Sequence, residues 1–146
     1  MKRVITTNDP QGRSRILIDE EVAAHGLIWE TRPGSPLGDE PVANLGDLDF
    51  PEGGIQARMI EIPADELLAE YLRHGIAGHD ADGFHRTGTI DFLVLLEGRL
   101  RLILDDGAVE LAPGDVVVQR DTNHAWRAGE TSARCFVVVS RPEANA

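Results

Sequence analysis

Two histidines and one aspartate, His85, Asp91 and His124, have the types and spacing in this sequence that point most directly to chemistry. His85, Thr87 and Asp91 alternate along residues 83–92, so in an extended strand their side chains leave from one face. That face continues into apolar residues and is predicted to point inward, where a carboxylate needs a partner. We expect the partner of Asp91 to be a cation, held in a pocket of a small β-barrel that His124 also reaches.

Three further side chains are candidates for binding a substrate. Trp126 follows His124 by two residues in a predicted strand and should share its inward face, where its ring could stack on a planar substrate or simply fill the core. Arg101 and Arg120 could bind a substrate carboxylate, although arginines on exposed strands and turns are commonly solvated.

Composition sets broad limits on the function. A chain of 146 residues with 42% apolar and 27% charged residues is typical of one soluble globular domain. The formal charge of -11 argues against a nucleic-acid partner, and no apolar run approaches the roughly 20 residues of a membrane span. The N-terminus lacks an apolar stretch typical of a secretory signal, so we expect a cytoplasmic protein. Cys135, the only cysteine, is expected to be a small buried hydrophobe rather than a reactive thiol.

The first half of the chain contains scattered strand candidates and one helix. Short strands are predicted over residues 3–6, 15–19, 27–30 and 56–62, and residues 31–54 are rich in proline and glycine, which predicts a long loop. Residues 63–75 have the pattern of an amphipathic helix that His74 would cap at its C-terminal end. His79 follows in a predicted flexible link and could reach the pocket, but nothing in the sequence fixes its direction.

From residue 89 onwards, strands and tight turns alternate, as in an antiparallel barrel or sandwich. The predicted strands cover residues 89–96, 99–104, 108–111, 116–118, 124–127 and 133–140, with turns at 97–98, 105–107 and 113–114.

Residues 83–140 resemble the cupin superfamily in two stretches. His85-Arg86-Thr87 followed by Asp91 and Gly98 is similar to the first cupin motif, and the stretch from Pro113-Gly114-Asp115 to His124 is similar to the second. The resemblance implies an all-β fold, a double-stranded β-helix or jelly-roll barrel with one short helix. We expect a single domain over residues 1–146, in which residues 1–55 form the N-terminal strands and loop and residues 56–140 form the barrel core.

The sequence departs from the family pattern at several positions. Thr87 stands where the family usually has a second histidine, and Asp91 stands where it usually has glutamate. In the second motif, which is one residue short, Gln119 and Asp121 replace a usual proline and glycine, and Ala128 replaces a usual asparagine. Asp121 can adopt the left-handed backbone that a glycine would provide.

The resemblance implies a metal centre of two histidines and one carboxylate. His85, Asp91 and His124 would bind a divalent ion, Fe, Zn, Mn or Ni, and leave positions open for water or substrate. Thr87 would be a weak hydroxyl ligand or would hydrogen-bond a bound water, so the predicted catalytic residues are His85, Asp91 and Thr87. The expected function is that of a small enzyme acting on a small organic molecule, with the substrate, the reaction and the native metal left open.

Two other functions fit the same residues. Without a metal, His85 and Asp91 would be a general acid and base, as in dehydratases or epimerases, or the imidazoles would be satisfied core groups paired with Asp91. The barrel could also be a non-catalytic module that binds a small ligand. In each case we expect a homodimer, because Phe92 and Leu96 point away from the pocket and the 31–54 loop could be exchanged between subunits.

Overall fold

The computed structural model describes residues 1–23, 25–31, 33 and 52–143. The long loop predicted over residues 31–54 lies almost wholly outside these residues. The elements in chain order are β1 (Lys2–Asn8), β2 (Ser14–Glu21), β3 (Gly26–Thr31), β4 (Ile55–Ile62), α1 (Asp65–His74), β5 (Ile90–Glu97), β6 (Leu100–Leu104), β7 (Gly107–Leu111), β8 (Val116–Arg120), β9 (His124–Arg127) and β10 (Ala133–Ser140).

The strands form one large sheet, one small sheet and an N-terminal hairpin. The large sheet has the order β3-β4-β10-β5-β8, the small sheet has the order β7-β6-β9, and β1 pairs with β2 alone. Every pairing among the described strands is antiparallel. One core cluster joins residues of both sheets, among them Leu95 of β5, Leu100 of β6 and Cys135 of β10. The predicted all-β jelly roll with one short helix is confirmed.

Alternation along the strands decides which side chains reach the core. In β5, Leu93 and Leu95 are buried, whereas Phe92 and Leu96 are exposed on the opposite face, as the sequence predicts. Cys135 is fully buried, and burial raises the pKa of its thiol to about 11. A thiol of this kind stays protonated at neutral pH, which agrees with its prediction as a small hydrophobe.

Helix α1 lies close to its predicted bounds and is held at its N-terminal end. Asp65 and Glu66 lie in its first turn, and Asp65 accepts a hydrogen bond from the Ala128 amide at 3.0 Å. None of the helix residues is fully buried. No helix in the described residues combines the length and the apolar character needed to cross a membrane.

The segment that carries His85 departs from its prediction. It is not a continuous strand over residues 83–92, because Gly88 has a φ of 69° and regular pairing begins only at Ile90. His85 is instead held by isolated bridges to its neighbours in space. Asp121 has a φ of 50°, which confirms the left-handed backbone predicted there.

Candidate functional site

A cavity of about 440 Å³ lies against the inner face of the large sheet. Strands β4, β5, β8 and β10 provide one wall, β9 contributes two aromatic side chains, and the segment before β5 closes another side. The side chains in its lining that could do chemistry include His79, His85, Thr87, Asp91, His124, Arg58 and Trp126.

Backbone pairing brings His85 and His124 together. The two residues form an isolated antiparallel bridge, and their ring centroids are 4.2 Å apart. His124 is buried and His85 is partly buried. The Nδ1 atom of His124 lies 2.9 Å from the carbonyl oxygen of Thr122, and since a carbonyl only accepts, this ring donates from Nδ1 and keeps its lone pair on Nε2.

Burial keeps both imidazoles neutral. Burial is the largest of the causes that lower the pKa of His85 to about 4, and the nearby rings of His124 and His79 act in the same direction. Burial also lowers the pKa of His124, although the Thr122 carbonyl acts in the opposite direction. A neutral imidazole is the form that binds a metal ion or accepts a proton.

Asp91 lies on the same cavity wall with one oxygen unsatisfied. Its Oδ1 atom is buried and receives no hydrogen bond from any described residue. Burial raises the pKa of this carboxyl group, while a hydrogen bond from the Thr89 side chain and the proximity of His124 lower it. A buried carboxylate oxygen without a donor is costly unless a proton or a cation satisfies it.

Thr87 lines the cavity beside these groups. Its hydroxyl lies 2.5 Å from that of Thr89. The loop that carries it is tied down by Asp121, whose carboxylate accepts the Gly88 amide at 2.9 Å and pairs with the guanidinium of Arg86. The structure therefore places Thr87 in the lining of the same cavity as Asp91.

Trp126 lines the cavity on the same side as His124. The two rings are in an edge-to-face contact with centroids 5.5 Å apart, and the indole also packs against the hydrophobic core. The inward position predicted from its spacing is therefore confirmed. Its role in substrate stacking stays a prediction.

Arg101 does not reach the cavity. It lies on the outer face of the small sheet, where its guanidinium is half exposed and pairs with Glu110 at 3.3 Å. Its neighbours Leu100 and Leu102 take the inward positions, so alternation along β6 turns Arg101 outward. Arg120 is also exposed and outside the cavity lining.

A different arginine, Arg58 of β4, lines the cavity and is only 7% exposed. Its Nη1 atom donates to Gln56 Oε1 at 2.8 Å, and Gln56 Nε2 donates to Glu30 Oε2 at 2.5 Å. These hydrogen bonds orient the guanidinium of Arg58 at the cavity wall. Arg58, and not Arg101 as expected, therefore brings a positive charge to the cavity. We did not predict it, because polar residues at alternate positions of β4 have the pattern of a solvated face.

His79, whose direction the sequence left open, also lies at the cavity. Its ring packs on that of His85 with centroids 4.0 Å apart, and it lines the same cavity. The signal in the sequence is the Asp80-Ala81-Asp82-Gly83 stretch, which has the composition of a tight hairpin and would pair residue 79 with residue 85.

The donor chemistry of these groups fits a divalent transition metal. Neutral imidazoles and an unsatisfied carboxylate oxygen are the ligand types of Fe, Zn, Mn and Ni sites. In the described part of the chain, however, no three His, Cys, Asp or Glu side chains already stand in an arrangement that would hold an ion. The imidazole rings of His85 and His124 are tilted by 50° to each other with centroids 4.2 Å apart, and they would have to turn to bind a shared ion.

Comparisons with known proteins agree with this architecture. The chain is 42% identical over 134 residues to the cupin-domain-containing oxidoreductase fogC of Aspergillus ruber, covering 85% of this chain and 62% of that protein. It is 29% identical over 127 residues to the cupin-domain-containing oxidoreductase virC of Hypocrea virens, covering 86% of this chain and 60% of that protein. The chain thus spans about three fifths of the length of these relatives. No protein-family model matches it.

Among solved structures, a RmlC-like cupin with a double-stranded β-helix fold from Methanocaldococcus jannaschii is similar over 60% of this chain and 70% of its own, with 18% identity and a TM-score of 0.43. The two-sheet barrel and the similarity to cupin-domain relatives support a small cupin, as the resemblance of residues 83–140 predicts.

Proposed function

We propose that this cupin is a small metal-dependent enzyme that binds a divalent ion through His85, Asp91 and His124. One observation carries the proposal: two neutral imidazoles in contact line the same cavity as a buried carboxylate oxygen that lacks a donor. A divalent cation would satisfy Asp91 and use the Nε2 lone pair of His124, whose other nitrogen already donates to the backbone.

The cavity volume suits a small organic substrate. Trp126 offers an aromatic surface beside His124, and Leu93, Val137 and Val139 make the floor apolar, so a bound molecule would displace water from the reacting groups. When bound, an open divalent ion supplies either redox chemistry with dioxygen, if it is Fe, or Lewis-acid chemistry. Thr87 would hold a water or a substrate oxygen through its hydroxyl.

Oxidoreduction is the reaction class that we favour. Two relatives that align with most of this chain are named as cupin-domain-containing oxidoreductases. The relatives are longer, and their activity is carried over here as part of the proposal. A ligand set of two imidazoles and one carboxylate is compatible with this class, because it leaves coordination positions for both a substrate and an oxidant.

Metal-free acid and base catalysis is the second candidate. It is favoured by the raised pKa of Asp91 and by the absence of a preformed ion arrangement in the described residues. In this function Asp91 would transfer a proton to or from a substrate in the cavity, and His85, kept neutral, would accept one. Activity in the presence of a strong chelator would distinguish this candidate from the first.

Metal analysis of the purified protein tests the proposal. The protein is expressed with Fe, Zn, Mn and Ni supplied in turn, and elemental analysis measures metal per chain in the wild type, in His124→Ala and in His74→Ala. We expect near-stoichiometric metal in the wild type and in His74→Ala, whose imidazole lies at an exposed helix end, and a loss in His124→Ala. A wild type without metal under all four conditions would contradict the proposal.

We also propose a homodimer formed through the outer face of the large sheet. Phe92 and Val118 are paired across β5 and β8 on this face and are 47% and 51% exposed. Val116 on the same face is also exposed, at 62%. The described N-terminal strands leave these side chains uncovered, and a contiguous apolar face of this kind is typical of a subunit interface.

A further inference from the structure

Three imidazoles stand in a row on one wall of the cavity. The ring of His79 packs on that of His85 at 4.0 Å between centroids, and the ring of His85 packs on that of His124 at 4.2 Å. The cavity lining includes all three side chains and also Asp91. His79 is thus as close to His85 as the second predicted ligand is.

The row follows from backbone pairing across three neighbouring segments. His79 and His85 form one antiparallel bridge, and His85 and His124 form another. Residues that lie directly opposite each other in antiparallel pairs carry their side chains on the same face. The backbone alone therefore turns the three side chains to the same side.

A tight hairpin fixes the backbone of His79. The carboxylate of Asp80 accepts hydrogen bonds from the amides of Asp82 at 2.9 Å and Phe84 at 2.8 Å, and the Asp80 amide donates to the carbonyl of Phe84 at 2.9 Å. Gly83 closes the loop with a φ of 84°, and a Cβ atom there would lie 3.2 Å from Leu72. The position of His79 relative to His85 is therefore a property of the fold and not of a flexible link.

Each of the three rings is held in the same way by its own backbone. Nδ1 lies near the carbonyl oxygen two residues earlier, at 3.1 Å for His79, 3.4 Å for His85 and 2.9 Å for His124. Because a carbonyl oxygen only accepts, these contacts favour the tautomer with the proton on Nδ1 and the lone pair on Nε2. Metal-binding histidines commonly have this backbone contact on their second nitrogen.

We propose that His79 supplies a third imidazole to the metal centre, an inference that rests on the proposed function. Three nitrogen donors and the oxygen of Asp91 select borderline transition ions such as Co²⁺, Zn²⁺ or Fe²⁺ over Mg²⁺ and Ca²⁺, which prefer all-oxygen sites.

Titration of the full-length apoprotein with Co²⁺ tests this inference. Competition with a chromophoric chelator gives the Kd for the wild type, His79→Ala, His124→Ala and the control His74→Ala, and the visible absorption of bound Co²⁺ gives a second readout. We expect His79→Ala to weaken binding by about 10- to 100-fold, on the scale found for groups that support a metal site, and to change the Co²⁺ spectrum. His74→Ala should bind as the wild type does.

Folding of the variants is checked by thermal unfolding, and His79→Asn provides a second substitution that keeps a polar side chain in the hairpin. If both His79 variants bound Co²⁺ with a Kd within twofold of the wild type and with an unchanged spectrum, the proposal that His79 is a metal ligand would be overturned. If His124→Ala abolishes Co²⁺ binding in that experiment, the metal centre of His85, Asp91 and His124 is supported without His79. A wild type that binds no Co²⁺ would overturn both.

Discussion

His85 and His124 exchange both of their backbone hydrogen bonds, from His85 N to His124 O at 2.9 Å and from His124 N to His85 O at 3.1 Å. Such a pair holds two side chains on one face of a ladder at short range, and the ring centroids are 4.2 Å apart. The contact between imidazoles from distant parts of the chain is therefore set by strand register.

The metal-free protein is predicted to lose stability on acidification because of His85. The pKa of this imidazole is lowered from 6.5 to about 4 in the native state. Between these two pH values the unfolded chain binds a proton that the native protein does not. The contribution of neutral His85 to the free energy of unfolding is therefore complete above pH 6.5 and is lost as the pH falls toward 4. Urea unfolding in the presence of a chelator, at several pH values from 7 to about 4, measures the effect.

His85→Asn is the matched variant for this test, and its unfolding free energy should decline less steeply with falling pH. The raised pKa of Asp91 acts in the opposite direction, because the native carboxyl group takes up its proton at a higher pH than the unfolded one. Asp91 is present in both proteins, so its contribution cancels when the free energy of unfolding of His85→Asn is subtracted from that of the wild type. If the free energy of unfolding depended on pH equally in the two proteins, the assignment of this effect to His85 would be contradicted.

The hairpin that carries His79 is predicted to loosen in Asp80→Ala. The substitution removes the acceptor of two amide hydrogen bonds, from Asp82 and Phe84, and should lower the free energy of unfolding by about 1 kcal/mol. Hydrogen exchange at the amides of Asp82 and Phe84 should become faster. Asp82→Ala is the control, since in the described part of the chain its side chain makes no hydrogen bond. Unchanged exchange at both amides in Asp80→Ala would be inconsistent with the role of this carboxylate.

Phe92→Glu is predicted to convert the proposed homodimer into a monomer. The new carboxylate would place a charge on the apolar outer face, opposite Val118. Val109→Glu serves as the control, because Val109 is 53% exposed but lies on the small sheet. Sedimentation velocity should give a dimer for the wild type and for Val109→Glu. A wild-type monomer, or a Phe92→Glu dimer of unchanged affinity, would argue against this interface.

Much of the fold follows from local sequence signals. Alternation correctly predicts which residues of β5 are buried, and the turn residues predict where the strands of the C-terminal half end. The Pro113-Gly114 turn is an example, with a φ of 97° at Gly114 and a hydrogen bond from the Asp115 amide to the Ala112 carbonyl. These features depend on short-range sterics, which a single sequence contains.

The lining of the cavity was harder to predict, because it depends on register between distant segments. The meeting of His85 and His124 was inferred from the two motifs, whereas His79 depends on a hairpin whose Asp-Ala-Asp-Gly sequence we assigned to a flexible link. Arg101 was expected at the cavity although its leucine neighbours alternate inward. Arg58 was overlooked, because a buried arginine requires tertiary partners such as Gln56 that no local pattern indicates.

Anomalous X-ray scattering tests most directly whether His85, Asp91 and His124 bind one divalent ion. Crystals of the metal-loaded protein are measured at wavelengths on both sides of the metal absorption edge. We predict one anomalous peak in the cavity, about 2.0–2.3 Å from imidazole nitrogens of His85 and His124 and from a carboxylate oxygen of Asp91. An empty cavity in a crystal that contains the metal, or a peak bound only by other residues, would contradict the claim.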